Sequence, residues 1–278
     1  MLRERIITAL VLLAFLLPSL FASSPWPFAL LSMVLMAAAA WEWGRLNGAG
    51  SALSVAMGLA FAGCCGATLL AGWASSAPLA AWWLAAAVWV IGGAAVLRTG
   101  PPGWPSLPRA ARWILGLVLL WAAWLALSHA RLLGINFLLS VFCLVWAADI
   151  GAYFGGRAFG RRKLALSISP GKSWEGVWFG LATAGLVALA WVAADSRLPV
   201  DSPSIFTSLW RALGPLGAVL AGGALVAMGV VGDLVESLVK RACGAKDSSR
   251  LLPGHGGVLD RVDALLPVFP IALALMSL

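Results

Sequence analysis

The residues of this chain that are suited to phosphate and metal chemistry are concentrated near its end. Charged residues make up only 11% of the 278 positions, and long apolar runs lie on both sides of the stretch 233–263. A polar cluster of this density is costly to place beside lipid, so a functional site is the expected explanation. The stretch contains four aspartates and five cations: Asp233, Asp247, Asp260, Asp263, Lys240, Arg241, Lys246, Arg250 and Arg261.

Three of these aspartates have the spacing of a possible cation site. On a helix, Asp260 and Asp263 share one face, and Asp233 on a neighbouring helix would complete an oxygen-rich site for a hard cation such as Mg²⁺. A metal there would neutralise a polyphosphate and favour its displacement. The alternative is structural: Asp260 as a helix N-cap, Asp263 in the first helical turn, and Asp233 paired with a cation.

The polar residues between positions 233 and 241 have the spacing of one face of a helix and would form a polar stripe along it. If the preceding apolar helix continues through them, Glu236 and Lys240 can pair at i, i+4. The cations of the stripe would hold phosphate charge, or they would be anchors at the membrane surface. One face would carry side chains at spacings i, i+4, i+7 and i+8: Asp233, Ser237, Lys240 and Arg241.

A glycine-rich turn follows at 253–257. It contains Gly254, His255, Gly256 and Gly257. Glycines let the backbone approach a ligand closely, and N–H groups exposed there can cradle phosphate oxygens. Such turns are also common without any ligand, and His255 would then be an ordinary loop residue.

A second polar stretch lies between Asp149 and Gly176. Asp149 falls near the end of an apolar run, where the alternative reading is an interfacial carboxylate. A basic run and then Ser169 and Lys172 follow it. The run either binds lipid headgroup phosphate or fixes topology, and the residues alone leave both open. A P-loop is rejected because Leu166 occupies the place of its first glycine and no buried strand precedes it.

Composition predicts the elements that must position these groups. The chain is 62% hydrophobic with a mean hydropathy of +0.94, which exceeds what a soluble domain needs. Its apolar segments run to about 17–22 residues, enough to cross a ~30 Å hydrocarbon core as helices. We therefore predict an all-α polytopic membrane protein with about nine spans: 6–22, 27–41, 52–73, 79–97, 112–128, 132–150, 174–194, 212–232 and 264–278. The first run is longer than a usual signal-peptide core, so we interpret it as a retained span.

The distribution of basic residues predicts the orientation. With a cytoplasmic N-terminus, nine spans put 16 of the 19 Lys and Arg residues on the inner side, as the positive-inside rule requires. The net charge of +8 is then explained by membrane topology, and no nucleic-acid partner is expected. Residues 1–130 are predicted to be scaffold spans, and 131–278 a catalytic membrane domain with cytoplasmic loops at 151–173 and 240–262.

These stretches resemble the phosphatidate cytidylyltransferase (CDP-diacylglycerol synthase) family. The family pattern reads Ser-x-apolar-Lys-Arg, four residues, Lys-Asp, and then Pro-x-His-Gly-Gly-apolar-x-Asp-Arg-apolar-Asp. The stretch 149–176 is similar to a second family region, with one departure at Leu166 and Ser167, where members often have Pro-Lys. The resemblance covers roughly residues 146–263. The chain has every fixed residue of the first pattern: Ser237, Lys240, Arg241, Lys246, Asp247, Pro253, His255, Gly256, Gly257, Asp260, Arg261 and Asp263.

The resemblance implies a reaction and a setting. Phosphatidic acid and CTP would give CDP-diacylglycerol and pyrophosphate, with Mg²⁺ and a second cation such as K⁺. The enzyme would be a homodimer in the bacterial inner (plasma) membrane, with its active site facing the cytoplasm.

The resemblance also assigns residues to roles. Asp233, Asp260 and Asp263 would hold the metal and act in catalysis with Lys240 and Arg241. The expected substrate-binding residues are Ser237, Lys246, Asp247, Gly254, His255, Gly256, Gly257, Arg261, Asp149, Arg161, Lys163, Ser169 and Lys172.

Other classes of protein remain as alternatives. A CTP-dependent polyprenol or phytol kinase, or an archaeal-type lipid cytidylyltransferase, would share much of the chemistry, although the full C-terminal pattern favours phosphatidate. A transporter would use Asp149 and Asp233 as intramembrane ion sites, but the carboxylates cluster in a loop rather than at the membrane midplane. A non-catalytic membrane scaffold would leave the polar cluster unexplained.

Overall fold

The computed structural model describes residues 2–278, and the predicted all-α membrane fold is confirmed. Eight helices in this part of the chain are long and apolar enough to cross a membrane, and they coincide with the first eight predicted spans. The fourth is built from consecutive segments. The others are α1 Leu2–Phe21, α2 Trp26–Leu46, α3 Ser51–Leu70, α7 Arg109–Leu133, α8 Ile135–Phe159, α9 Trp174–Asp195 and α10 Ile205–Ala242.

The ninth predicted span is a short helix inside the bundle. This helix, α12 Leu265–Leu275, has only 11 residues, and most of its side chains are buried. It packs against α10, α7 and the fourth span. Because protein rather than lipid surrounds it, its apolar sequence serves the core, and eight long helices with this short one agree with about nine spans.

The fourth span is interrupted along its length. It consists of α5 Leu79–Ala87, a π-helical turn Val88–Gly92 and α6 Gly93–Gly103, and a 3₁₀ turn Trp104–Ser106 completes it. A single-turn helix, α4 Trp73–Ser76, precedes it. The connection between the fourth and fifth predicted spans, which end at 97 and begin at 112, is thus partly helical.

Helix α10 carries the predicted polar stripe. It bends at Gly214, whose φ is 69°, and Pro215 after it has no N–H to donate, so the helical ladder is broken there. Beyond the bend the helix continues to Ala242, ten residues past the predicted end of the span at 232. The prediction of a helical stripe from Asp233 to Arg241 is therefore confirmed.

A β-hairpin lies in the region that was predicted to be a loop. Helix α8 continues to Phe159, and two antiparallel strands follow: β1 Lys163–Ala165 and β2 Ser169–Ser173. Lys163 pairs with Ser173 and Ala165 with Ser169. Ser173 also caps α9, because its hydroxyl accepts the Gly176 N–H at 3.2 Å. The hairpin is thus joined rigidly to the next span.

Candidate active site

A cavity of about 480 Å³, lined by both polar and apolar residues, lies between α8, the hairpin, α9 and α10. Four predicted site residues line it, so the structure brings together groups that are up to 84 positions apart in the chain: Asp149, Ser169, Lys172 and Asp233. Arg157 and Tyr153 also line it, and neither was among the predicted site residues. The lining also includes the apolar residues Val145, Leu225 and Val226, which lie on the same helices as Asp149 and Asp233.

An ion pair joins the two sides of this cavity. The Nζ atom of Lys172 on β2 lies 2.6 Å from Oδ2 of Asp233 on α10, and both side chains keep part of their surface exposed, 25% and 33%. Ser237 donates its hydroxyl proton to Oδ1 of Asp233 at 3.2 Å. Asp233 and Ser237 therefore lie on one face of α10, as their spacing of four residues predicts.

Asp263 lies close to Asp233. Gly232 permits the approach, because a Cβ atom there would lie 2.4 Å from the Asp263 carbonyl oxygen. Burial raises the pKa of the Asp263 carboxyl, and the negative charge of Asp233 raises it further, against a hydrogen bond from the Ala264 N–H. Asp233 lines the cavity, and two neighbouring carboxylates that repel each other have the donor chemistry that a hard cation needs. Within residues 2–278 no three His, Cys, Asp or Glu side chains lie close enough together to hold a metal.

Asp260 belongs to a different set of contacts. Its Oδ1 atom lies 2.6 Å from Nζ of Lys240, which also lies 2.5 Å from Oε2 of Glu236. The predicted pairing of Glu236 with Lys240 is therefore confirmed. Burial acts to raise the pKa of Asp260, but hydrogen bonds from Lys240 and from the Gly257 and Ser248 N–H groups outweigh it and lower the pKa to about 2. Asp260 is thus an ionised acceptor that fixes Lys240.

The glycine-rich turn is closed by its own backbone. Leu252 N–H donates to the Gly256 carbonyl, and His255 N–H donates to the Leu252 carbonyl, each at 2.8 Å. Gly254 and Gly256 have φ values of 76° and 87°, which other residues rarely adopt. The Arg261 guanidinium donates to the His255 carbonyl, with the shorter contact at 2.6 Å. In this structure Arg261 therefore braces the turn.

Helix α1 contacts the same turn. Arg5 Nε donates to the Gly254 carbonyl and Thr8 Oγ1 donates to the Pro253 carbonyl, each at 2.9 Å. Sequence reasoning assigned no role to either residue. Their contacts make the first span a direct support of the polar region.

The remaining predicted site residues lie outside the cavity that Lys172 and Asp233 line. Lys246 and Asp247 line a second, more open cavity of about 580 Å³ that shares no lining residue with the first, and Arg45 and Arg250 are beside them. Arg241 Nε contacts the Ile168 carbonyl at 3.4 Å and links α10 to the hairpin. Arg161 and Lys163 are exposed at the start of the hairpin.

One buried carboxylate was missed entirely. Glu42 on α2 is 0% exposed, and four donors of the stretch 248–259 point at it. The signal in the sequence is an isolated acid at the end of an apolar run, which is costly unless it is well partnered. A residue of the predicted scaffold region thus holds the polar stretch, and the division at residue 130 stays a prediction.

Together these elements define a polytopic helical membrane protein with a polar, phosphate-compatible site at one end of its helices. The chain matches the model of the Cytidylyltransferase family over residues 3–278, and it belongs to that family. A phosphatidate cytidylyltransferase of Pseudomonas aeruginosa is 41% identical over 281 residues, which span 99% of this chain and 97% of the relative.

Two further relatives match over shorter ranges. A phosphatidate cytidylyltransferase of Haemophilus influenzae is 50% identical over 143 residues, covering 51% of this chain and 46% of that protein. A phosphatidate cytidylyltransferase of Brucella melitensis is 40% identical over 172 residues, covering 59% of this chain and 53% of that protein. The family suggested by the sequence motifs is therefore confirmed.

Proposed function

We propose that this protein is a CTP:phosphatidate cytidylyltransferase, which converts phosphatidic acid and CTP to CDP-diacylglycerol and pyrophosphate. The observation that carries the proposal is the similarity along 99% of the chain to the Pseudomonas aeruginosa phosphatidate cytidylyltransferase. The cavity supports it, because its lining combines apolar side chains with Lys172, Arg157 and Asp233. An amphipathic phosphate ester and a nucleotide both find suitable surroundings there.

The reaction is a displacement at phosphorus. A phosphate oxygen of phosphatidic acid attacks the α-phosphorus of CTP and forms a new P–O bond. The bond from that phosphorus to the oxygen bridging to the β-phosphate breaks, and pyrophosphate leaves with the electron pair. Because reacting and leaving groups are both anionic, fixed cations near the phosphates lower the barrier. We assign this role to Lys172, with Arg157 at the rim, and to Lys240 on the side of Asp260.

Asp233 and Asp263 are proposed to hold Mg²⁺. Their carboxylates are close enough to repel each other, and carboxylate oxygens are the ligands that Mg²⁺ takes in proteins. When bound, the ion offsets polyphosphate charge. Asp260 was also predicted as a ligand, but its oxygens accept hydrogen bonds from Lys240, Ser248 and Gly257. We therefore propose that Asp260 orients Lys240, and that K⁺ is the second cation.

We infer that the polar end of the bundle faces the cytoplasm of a bacterial inner membrane. The placement of 16 of 19 basic residues on that side supports this orientation, and CTP is available there.

A homodimer is part of the proposal. Helix α1 has only 11% of its spanning window buried, which leaves a broad apolar face for lipid or a second copy. The mass of the protein in detergent shows whether it is a monomer or a dimer.

The test of the reaction uses purified protein in detergent. Labelled CTP is followed with phosphatidic acid, Mg²⁺ and K⁺, with and without a chelator. Lipid-linked CMP and free pyrophosphate are expected, and both should be lost with chelator. A folded protein that forms neither product would refute the proposal, and a phosphorylated polyprenol in a parallel reaction would show a kinase instead.

The test of the metal assignment is separate. Asp263→Asn is expected to abolish Mg²⁺-dependent turnover, whereas Asp201→Asn, which changes a carboxylate in the loop between α9 and α10, should retain it. If Asp263→Asn keeps both full activity and the Mg²⁺ dependence of the wild type, the assignment of the metal ligand is wrong while the reaction stands.

A further inference from the structure

We propose that Glu42 is a positioning residue of the active site, which fixes Asp260, and through it Lys240, by holding Ser248 and the start of α11 (Leu259–Val262). The kinetic part of this inference rests on the proposed function. Glu42 lies on α2, in a region of the chain to which the sequence motifs assign no chemistry.

The Glu42 carboxylate is fully engaged by one short segment. Oε1 accepts from the Ser249 hydroxyl at 2.5 Å and from the Val258 N–H at 3.0 Å. Oε2 accepts from the Ser248 hydroxyl at 3.1 Å and from the Leu259 N–H at 2.7 Å. The side chain is completely buried. Hydrogen bonds to a charged acceptor are the strong ones, so this carboxylate determines where residues 248–259 lie.

Ser248 carries the effect to the active site. Its hydroxyl lies 2.9 Å from Oδ2 of Asp260, and its N–H donates to the same oxygen at 2.9 Å. Because a hydroxyl has one proton, Ser248 donates to one of the two carboxylates at a time and connects them. The opposite oxygen of Asp260, Oδ1, is then directed at Lys240. The chain of contacts runs from Glu42 through Ser248 and Asp260 to Lys240.

The second route passes through the backbone. Val258 and Leu259 donate to Glu42 immediately before Asp260, and Asp263 follows in the next helical turn. A shift of this segment would therefore move Asp260 and Asp263 together, away from Lys240 and Asp233. Lys172 and Arg157 lie on the other side of the cavity, on separate elements, and would keep their places. Loss of Glu42 is thus expected to change turnover and metal dependence more than lipid binding.

The experiment compares Glu42→Gln and Ser248→Ala with Asn47→Ala. In Glu42→Gln an NH₂ group replaces one carboxylate oxygen, so the N–H and hydroxyl donors that contact this oxygen lose their acceptor. Ser248→Ala leaves three hydrogen bonds to Glu42 intact and so preserves folding. Asn47 is the control because it is equally buried, at 1% exposed, near the end of the same helix. It bonds instead to Trp104 Nε1 and to the Trp43 carbonyl. Each variant is assayed at the same number of degrees below its own thermal midpoint of unfolding.

Glu42→Gln is expected to lower kcat about ten-fold or more, because the amide leaves buried donors around it unsatisfied, at a cost of about 1–3 kcal/mol, and so displaces the segment that holds Asp260. The Mg²⁺ concentration for half-maximal activity should rise roughly ten-fold, the usual size for loss of an outer support of metal ligands. KM for phosphatidic acid should stay within about two-fold. Ser248→Ala should change the same quantities in the same direction, and Asn47→Ala should change neither kcat nor the Mg²⁺ requirement.

Trypsin cleavage gives a readout that does not depend on activity. Arg250 is exposed in the held segment and Lys246 is exposed just before it, so Glu42→Gln and Ser248→Ala should be cut there faster than wild type and Asn47→Ala. If wild type transfers no nucleotide, the proposed function fails, and cleavage still decides whether Glu42 holds the segment. Unchanged cleavage in both variants overturns the inference. So does a kcat for Glu42→Gln close to wild type, or a fall in kcat that Asn47→Ala reproduces.

Discussion

Lys172 and Asp233 join the β-hairpin to α10 through a contact of 2.6 Å between Nζ and Oδ2. The two residues are 61 positions apart in the chain and come from the two separate polar stretches of the sequence. Because of this contact, the two polar stretches line the same cavity. Since each side chain remains partly exposed, the pair can exchange partners with an incoming phosphate and its cation, which a fully buried pair could not do without a large cost.

Replacing Lys172 with glutamine is expected to reduce kcat/KM for phosphatidic acid by roughly ten-fold or more, because a hydrogen bond to a charged group contributes about 1.5–3 kcal/mol. The change removes a cation from the cavity and leaves the Asp233 carboxylate without it. Initial rates over a range of phosphatidic acid concentrations in mixed micelles measure the effect.

The control for this prediction is Arg162→Gln. Arg162 is an exposed cation just before β1, so the change removes the same charge from the same hairpin outside the cavity. Its kinetic constants should match wild type. Equal losses in both variants would indicate a general effect of positive charge at the membrane surface, in place of a specific role of Lys172.

Asp260 gives a prediction about acid stability. Burial alone would raise its pKa, but hydrogen bonds from Lys240 and from backbone N–H groups lower it to about 2, below the ordinary value of about 3.9. The folded protein therefore binds this proton less readily than the unfolded chain. The stabilisation is present above about pH 4 and is lost as the pH falls toward about 2. It amounts to about 2 kcal/mol, since the side chain is only 6% exposed.

The measurement is the free energy of unfolding of wild type and Asp260→Asn in detergent as the pH is lowered. The two proteins should differ most near neutral pH, and the difference should shrink between about pH 4 and pH 2. A difference that stays constant over that range would mean that Asp260 titrates normally in the folded protein.

The parts of this site that are local in sequence could be predicted. Helical periodicity alone places Asp233 and Ser237 on one face of α10 and pairs Glu236 with Lys240, because residues four apart on a helix are neighbours. The apolar runs also indicate the spans from local sequence alone, because the thickness of the membrane sets their length.

The contacts between distant segments could not be predicted. Asp260 meets Lys240 only because the chain after Ala242 turns back, and the direction of that turn depends on Glu42, which lies 206 residues before Ser248. The aspartate spacing suggested one triad, whereas Asp260 is directed toward Lys240 and Asp263 toward Asp233. Sequence patterns identified the polar groups, and the fold of the loop determined which of them meet.

Gly257 provides a steric test of the contacts around Glu42. A Cβ atom at this position would lie 2.0 Å from the Ser248 hydroxyl and 2.4 Å from Oε1 of Glu42. Both groups are buried and hydrogen-bonded, so neither can move without losing a partner. Gly257→Ala is expected to lower the free energy of unfolding by about 1–3 kcal/mol, as overpacking does, and to reduce activity further than stability alone explains.

The matched variant is Gly222→Ala on α10. Apart from the backbone of its own helix, no atom lies within 4 Å of a Cβ placed there, so alanine should be neutral or stabilising by up to about 1 kcal/mol, as it is elsewhere in helices. Chemical denaturation in detergent and specific activity are compared for both proteins. If Gly257→Ala behaves like Gly222→Ala, the close packing of Gly257 against Glu42 and Ser248 is wrong.

Asp201 separates stability from activity, because it acts at the opposite end of α8 from the cavity. Its carboxylate accepts the N–H groups of Ile135 at 2.6 Å and of Asn136 at 2.9 Å, which are the first free donors of that helix. Asp201→Asn is expected to reduce stability by about 1 kcal/mol, as loss of a helix cap does, while kcat per folded molecule stays unchanged. Thermal unfolding and single-concentration turnover measure the two quantities.

The pH dependence of this cap follows from the same contacts. Burial would raise the pKa of Asp201, but the N–H groups of Asn136 and Ile135 outweigh it and lower the pKa below its ordinary value. Its contribution is therefore full above about pH 4, the ordinary value for an aspartate, and declines at lower pH. Wild type and Asp201→Asn should converge in thermal midpoint on acidification. Reduced turnover of Asp201→Asn at neutral pH in fully folded protein would show instead that this end of α8 is coupled to the cavity.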